Sequence, residues 1–225
     1  RIGWLLIGLL LSGCASLGEP EPPREQSGFL KGYYERLAPV PDGDQRMRWI
    51  RPGVDFSRYR RVMVESVVFY LAEASEYKGI DSVEMNDLTE AFNLALVNAL
   101  KDRYPIVSEP APDVLRIRVA ITELERSRPG LSTVTTVVPV GLGISIVKKG
   151  ATDAWTGSGK TGVELMGIDS LSNEVIVAGK DRRSAGFTER FSTWGAAKED
   201  FQFWAGRIRA FLDSEHAAPG AGKGG

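Results

Sequence analysis

The stretch after Pro112 most narrows what this chain can fold into. Leu115, Ile117, Val119 and Ile121 alternate with Arg116, Arg118, Ala120 and Thr122. A period of two places the first set on one face of a pleated strand and the second on the other, one face core and the other wet. Such a strand needs a sheet around it and a layer over it. The layer is legible too. Leu88, Ala91, Phe92, Ala95, Leu96, Ala99 and Leu100 recur at helical spacing, and so do Ala197, Phe201, Trp204, Ile208 and Leu212 in a final helix over 194–214. The first helix is predicted to open at Asp87-Leu88-Thr89-Glu90, with Asp87 as cap and Glu90 reaching back, and to stop at Tyr104-Pro105.

Other strands are predicted at 47–51, halted by Pro52-Gly53, at 61–68, and as a short edge piece at Ile106-Val107. Two more, at 161–168 and 174–178, are joined by the hairpin loop Asp169-Ser170-Leu171-Ser172-Asn173. The chain has 225 residues and 43% hydrophobic content, enough for one well-buried domain and lean for two. These readings predict an α+β fold: an antiparallel or mixed sheet of about five strands with two main helices packed on one face.

Ahead of the domain, Arg1 is followed by an apolar run over 2–11 that includes Trp4, Leu5, Leu6, Ile7, Leu9 and Leu10. It is far shorter than the roughly 20 residues of a membrane-spanning helix and has the length of a signal-peptide core. With no Met at its head, the chain is expected to begin slightly inside the gene product. The run ends in Leu11-Ser12-Gly13-Cys14, which resembles the bacterial lipobox. On that resemblance, signal peptidase cuts between Gly13 and Cys14, and Cys14 takes a diacylglycerol and further acyl chains such as palmitate. Acyl chains anchor by burying methylenes at about 0.8 kcal/mol each. Ala15 stands where an Asp retains lipoproteins at the inner membrane, so the pattern implies a lipid anchor in the outer membrane, facing the periplasm. The order expected is a signal peptide over 1–13, lipidated Cys14 and a Pro-rich tether over 14–27, one domain over 28–214, and a disordered tail over 215–225.

The chemistry available is narrow. Cys14 is the one cysteine and His216 the one histidine, so an intramolecular disulfide, a multi-thiolate zinc site and a multi-histidine site are excluded. A net charge of -1 supplies no field for nucleic acid. The local clusters Arg58-Tyr59-Arg60-Arg61 and Lys180-Asp181-Arg182-Arg183 read as solvated strand ends. Gly157-Ser158-Gly159-Lys160-Thr161 looks like the core of a phosphate-binding loop. However, Ala154 replaces the first glycine, and Val163-Glu164-Leu165-Met166-Gly167 reads as a strand where such a loop needs a helix, so neither nucleotide nor cofactor is expected.

Residues 134–147 carry no charge, and Val138, Val140, Leu142, Ile144 and Ile146 share one face of an extended chain. A buried strand or folded loop, an exposed patch for a partner protein, and part of a membrane-inserted β-ribbon all fit it; Pro139 weighs against a regular ladder. Phe29, Tyr33 and Tyr34 either pack back on the domain or face a partner, and Trp194 and Trp204 read as core anchors. The acids Glu65, Glu123, Glu125, Glu164 and Asp169 lie on or near strands, and a hydrolase would need two of them to converge in a cleft.

Ile50-Arg51-Pro52-Gly53-Val54-Asp55-Phe56-Ser57, Tyr59 and Val62-Met63-Val64, with Gly28-Phe29-Leu30 before and Ile168-Asp169-Ser170 after, resemble a family of Gram-negative lipoproteins known as a domain of unknown function. The resemblance covers about 28–213 and implies location and fold; the family has no established site residues to carry over. The expectation is a non-enzymatic, outer-membrane-anchored periplasmic lipoprotein without cofactor or metal, acting as an accessory or scaffold subunit of an envelope assembly through a protein partner. The rival is a periplasmic module that binds a lipid or other apolar ligand between sheet and helices.

Overall fold

Seven strands share one mixed sheet in the computed structural model, which describes residues 26–41, 46–71, 80–124, 160–184 and 194–217. They are β1 (Ala38–Pro39), β2 (Met47–Ile50), β3 (Arg61–Val64), β4 (Val68–Phe69), β5 (Val114–Leu124), β6 (Lys160–Asp169) and β7 (Val175–Ser184). The order across the sheet is β1-β2-β7-β6-β5-β3, and β4 also pairs with β5. Strands β5, β6 and β7 form an antiparallel meander, from Leu115 opposite Asp169 out to Lys160 opposite Ser184. Strands β3 and β4 run parallel to β5. A parallel neighbour needs a crossover, and α1 (Ser82–Leu100) lies within it. The second helix, α2, is Gly195–Ala217.

The alternation of β5 acts as read. Leu115, Ile117, Val119 and Ile121 point to the helices and enter one core with Leu88, Phe92, Leu96 and Leu100 of α1 and Phe201, Trp204 and Leu212 of α2. Phe92 stacks on Phe201, with ring centroids 4.4 Å apart and planes 6° from parallel, at the centre of this layer.

Several boundaries differ from the sequence reading. The helix α1 starts six residues early because Asp81, not Asp87, caps it, its carboxylate accepting from the amides of Val83 and Glu84. The strand predicted over 61–68 is broken into β3 and β4, and Ile106 makes one parallel bridge to Val62. Strand β7 runs six residues past its predicted end, so Lys180-Asp181-Arg182-Arg183 is ladder rather than a solvated end. Helix α2 carries three residues beyond 214, and His216 belongs to it.

The second face of the sheet is not wet. Ala120 is fully buried there, and the segment entering the domain lies across it. A 3-10 turn over Lys31–Arg36 brings Phe29, Leu30 and Leu37 onto Ala120, Met166, Ile168 and Ala178. Tyr33 packs on Trp49 at 5.1 Å, and Phe29 meets Tyr70 edge-on at 5.6 Å. The sheet is therefore covered by helices on one side and by its own N-terminal strap on the other.

Candidate functional site

Among the described residues, two clusters of polar or titratable side chains, both structural, and one apolar cleft stand out. The first joins the motifs that the resemblance rested on. Asp169 ends β6, and its carboxylate is a hub: Oδ1 accepts from the Leu171 and Ser172 amides at 3.1 and 2.8 Å, and Oδ2 accepts from the Tyr59 hydroxyl at 2.8 Å and the Arg58 guanidinium at 2.5 Å. Burial disfavours its charge, but the donors from Ser172, Tyr59 and Leu171 outweigh burial and hold the carboxyl below the usual carboxylate range. Tyr59, itself buried, is pushed up to about 12 by burial and by Asp169. Beside it Ser170 locks the hairpin to Ala111, accepting from that residue's amide at 3.1 Å and donating to its carbonyl at 2.9 Å. Arg58-Tyr59 and Asp169, 110 or more residues apart in the chain, are thus joined at one end of the sheet.

The second place is Glu164, at 2% exposure on the strap side of β6. Its Oε2 accepts from the Ser27 hydroxyl at 2.7 Å and the Tyr34 hydroxyl at 2.8 Å. The Tyr34 oxygen in turn accepts from the Gly28 amide at 2.8 Å. Burial pushes the Glu164 carboxyl up, partly offset by these two donors and by Lys180 across the ladder. The cluster fastens the strap to β6.

The third place is an apolar cleft of about 120 Å³ between α2 and the strands β6, β7 and β2. Its floor is a checkerboard on the sheet. Leu165 faces Gly179 across the β6–β7 ladder, and Gly167 faces Val177, so each large side chain has a glycine beside it. A Cβ at Gly179 would stand 3.3 Å from the Met47 carbonyl oxygen, and one at Gly167 2.5 Å from Val177 Cγ1. Trp204, Ile208 and Phe211 of α2 form the roof. Trp204 donates its indole N–H to Asp181 at 2.8 Å. Burial raises the Asp181 carboxyl, with Trp204, the Arg182 amide, Arg207 and Arg46 opposing. Arg46, Arg48 and Arg207 line the mouth, and Arg48 lies 5.0 Å from the Phe211 ring centre. An apolar hollow with a few convergent polar groups is the usual form of a ligand site.

The residues singled out from the sequence fall unevenly on this frame. Gly13, Cys14, Ala15, the uncharged 134–147 segment and Glu125 lie outside the described residues. Lys160 and Thr161 open β6, as a strand entry would, and not a helix. Glu65 pairs with Arg116 and Arg118, and Glu123 with Arg182. Glu164 and Asp169 each sit in their own network, as above. His216 is held in the last turn of α2, Nε2 lying 2.9 Å from the Tyr59 carbonyl and Nδ1 2.7 Å from that of Leu212. Trp204 is buried at 3% and anchors the core as read. Among the described residues no group of three or more His, Cys, Asp or Glu side chains is placed to hold a metal ion, and no helix is long and apolar enough to cross a membrane. The rival reading set an apolar ligand between sheet and helices but named no residues for it; the one local signal was Gly167 and Gly179 within strand-like runs.

Comparison with known proteins agrees with the motif resemblance. A family model described as a protein of unknown function, DUF3313, matches residues 25–208. The "Uncharacterized lipoprotein YdcL" of Escherichia coli strain K12 is 31% identical over 139 residues. The match covers 61% of this chain, which in turn spans 61% of that relative's length. Among solved structures, a PelC dodecamer from Paraburkholderia phytofirmans has a TM-score of 0.41 at 14% identity, covering 72% of this chain and 97% of that one. The hypothetical protein CT253 from Chlamydia trachomatis has a TM-score of 0.40 at 10% identity, covering 68% and 98%. At such scores neither bears on activity.

Proposed function

The chain belongs to the DUF3313 family of proteins of unknown function, and from that premise we propose that it is a lipid-anchored envelope protein that works by binding and not by catalysis, holding an apolar group in the cleft under α2. The observation that carries the reading is the cleft itself: hydrophobic on floor and roof, with two glycines in its floor and arginines among its lining. Its volume is close to that of the ~150 Å³ cavity that holds benzene in an engineered core, so it takes one ring or a short branched chain. About six carbons at ~0.8 kcal/mol per methylene give on the order of 5 kcal/mol, which corresponds to roughly millimolar binding. The cleft supports the ligand-binding role; residues 134–147, the segment that would carry a scaffold subunit's apolar patch, lie outside the described residues.

The anchor completes the proposal. Cys14 after Leu11-Ser12-Gly13 carries the lipid, and Ala15 directs the protein to the outer membrane, where the tether up to Ser27 holds the domain in the periplasm. The lipoprotein name of the E. coli relative supports it. Replacing Cys14 with Ala is expected to release the protein from the membrane fraction or block its maturation; unchanged fractionation would refute the anchor.

The cleft is tested separately by titrating 1-hexanol into the methyl-labelled mature protein. The expected result is saturable shifts confined to Leu165, Val177 and Ile208, lost in an Ile208→Trp variant that fills the roof. Shifts spread over the surface, or retained in that variant, would remove the cleft as the site.

A further inference from the structure

The shape of the cleft narrows its occupant. Three flat groups line it, and each has a partner that fixes its orientation. The Trp204 indole donates its N–H to Asp181 at 2.8 Å and stacks on Phe92, with ring centres 6.3 Å apart and planes 29° from parallel. The Phe211 ring meets Phe56 edge-on, with centres 5.4 Å apart and planes at 83°. The Arg48 guanidinium lies over the Phe211 ring, 5.0 Å from its centre. The floor is levelled by its glycines. A Cβ on Gly167 would stand 2.5 Å from Val177 Cγ1, and one on Gly179 3.8 Å from Leu165 Cγ. These two branched side chains thus lie across bare backbone, which lowers the ridge that facing large side chains would raise.

We infer that the cleft takes a neutral, single-ring aromatic compound in preference to a saturated ring or alkyl chain of the same carbon number, and that Arg48 sets the preference, its guanidinium lying between the Phe211 ring and the ring of the occupant. This rests on the binding role proposed above and names the ligand class for the same site. A guanidinium has two flat sides, each able to stack on an aromatic ring. Phe211 takes one, and Arg48 lines the cleft, so the other is the side it offers there. The face of an aromatic ring is negative and attracts a cation; a saturated ring buries a similar apolar area but has no such face. A chain carries a further cost, because its rotamers must be fixed on binding while a flat ring has none to lose. Volume sets the upper limit: about 120 Å³ admits one ring.

The test titrates phenol and cyclohexanol, which share a ring size and a hydroxyl, into the methyl-labelled mature protein beside 1-hexanol, read at Leu165, Val177 and Ile208. Phenol is expected to bind about fivefold tighter than cyclohexanol, the scale of one cation–π contact. In an Arg48→Met variant, which keeps an unbranched stem and removes the flat cation, the two affinities should converge while that of cyclohexanol stays unchanged. A second comparison needs no variant. 1,3,5-Trifluorobenzene is more hydrophobic than benzene and has nearly its shape, but its ring face carries almost no negative charge, so it should bind the native chain more weakly than benzene does. Equal affinities for phenol and cyclohexanol in the native chain would overturn the aromatic assignment and leave the cleft as a binding site. Trifluorobenzene binding as tightly as benzene, or a phenol preference that persists in Arg48→Met, would overturn the role of Arg48. No saturable shift at these methyls with 1-hexanol, phenol or benzene would overturn this inference and the binding role together.

Discussion

Gly53 adopts a φ of 76° in the turn that ends β2, and nothing lies within 4 Å of where its Cβ would stand. Its requirement is therefore one of backbone conformation alone. Gly53→Ala should cost about 1 kcal/mol, read as a lower urea midpoint with an unchanged slope. Asp169 depends on its partners instead. Removing it orphans the Tyr59 hydroxyl and two turn amides in a buried setting, so Asp169→Ala should cost about 2–4 kcal/mol in the same assay. Its folded carboxyl is held low, so its contribution is present above the unfolded value and is lost as pH falls through the folded one. The variant should accordingly show a shallower acid loss than the native chain. Both residues were visible beforehand as parts of a turn and a hairpin. That Asp169 meets Tyr59 was not visible, because contacts across more than a hundred residues of chain leave no local pattern.

At the scale of elements, the helical stripes and the β5 alternation were legible because one-sided burial writes a period into the sequence. Phe92, fully buried and stacked on Phe201, tests the layer they build: Phe92→Ala should cost about 3–5 kcal/mol, measured by thermal or denaturant unfolding. Element ends were less legible. Both Asp81 and Asp87 can cap a helix, and the choice falls to Asp81 because Ile80 then packs against the core and Glu84 receives the Trp194 indole N–H at 3.0 Å. The end of β7 was hidden for a related reason. A run of charge reads as solvated, yet here Asp181 meets Trp204, Arg182 meets Glu123 and Arg183 meets Asp200, each a partner from another element. The strap over the second face was masked in the same way: Arg116 and Arg118 made that face look wet, while Glu65 pairs with both and Phe29 lies beneath Arg118.

For the whole molecule, the consequential contact is between the strap and Glu164, because it fastens the strap to the sheet. Its carboxyl is raised by burial, so the folded state holds this proton more tightly than the unfolded chain does. Stability from this group is therefore full below the unfolded value and declines as pH rises through the raised folded one. Glu164→Gln should remove that decline: the gap between its unfolding midpoint and that of the native chain should shift in favour of the variant as pH rises above about 4.3, the ordinary glutamate value. Tyr34→Phe keeps the ring and removes one donor; it should speed proteolytic cutting near Ser27 and Gly28 while leaving the helix layer intact.

By itself the sequence determined the class of fold, its two helices and central strand, and membership of a family of lipoprotein-like chains, because each of these is written locally as a period, a turn or a motif. Tertiary structure alone decided the joining of Tyr59 to Asp169, the burial of Glu164 beneath the strap, and the cleft under α2. A cleft is an absence of side chains between elements. Its floor and roof come together only when β6 and β7 pair in this register and α2 lies over them, and register and layering are properties of the assembled sheet.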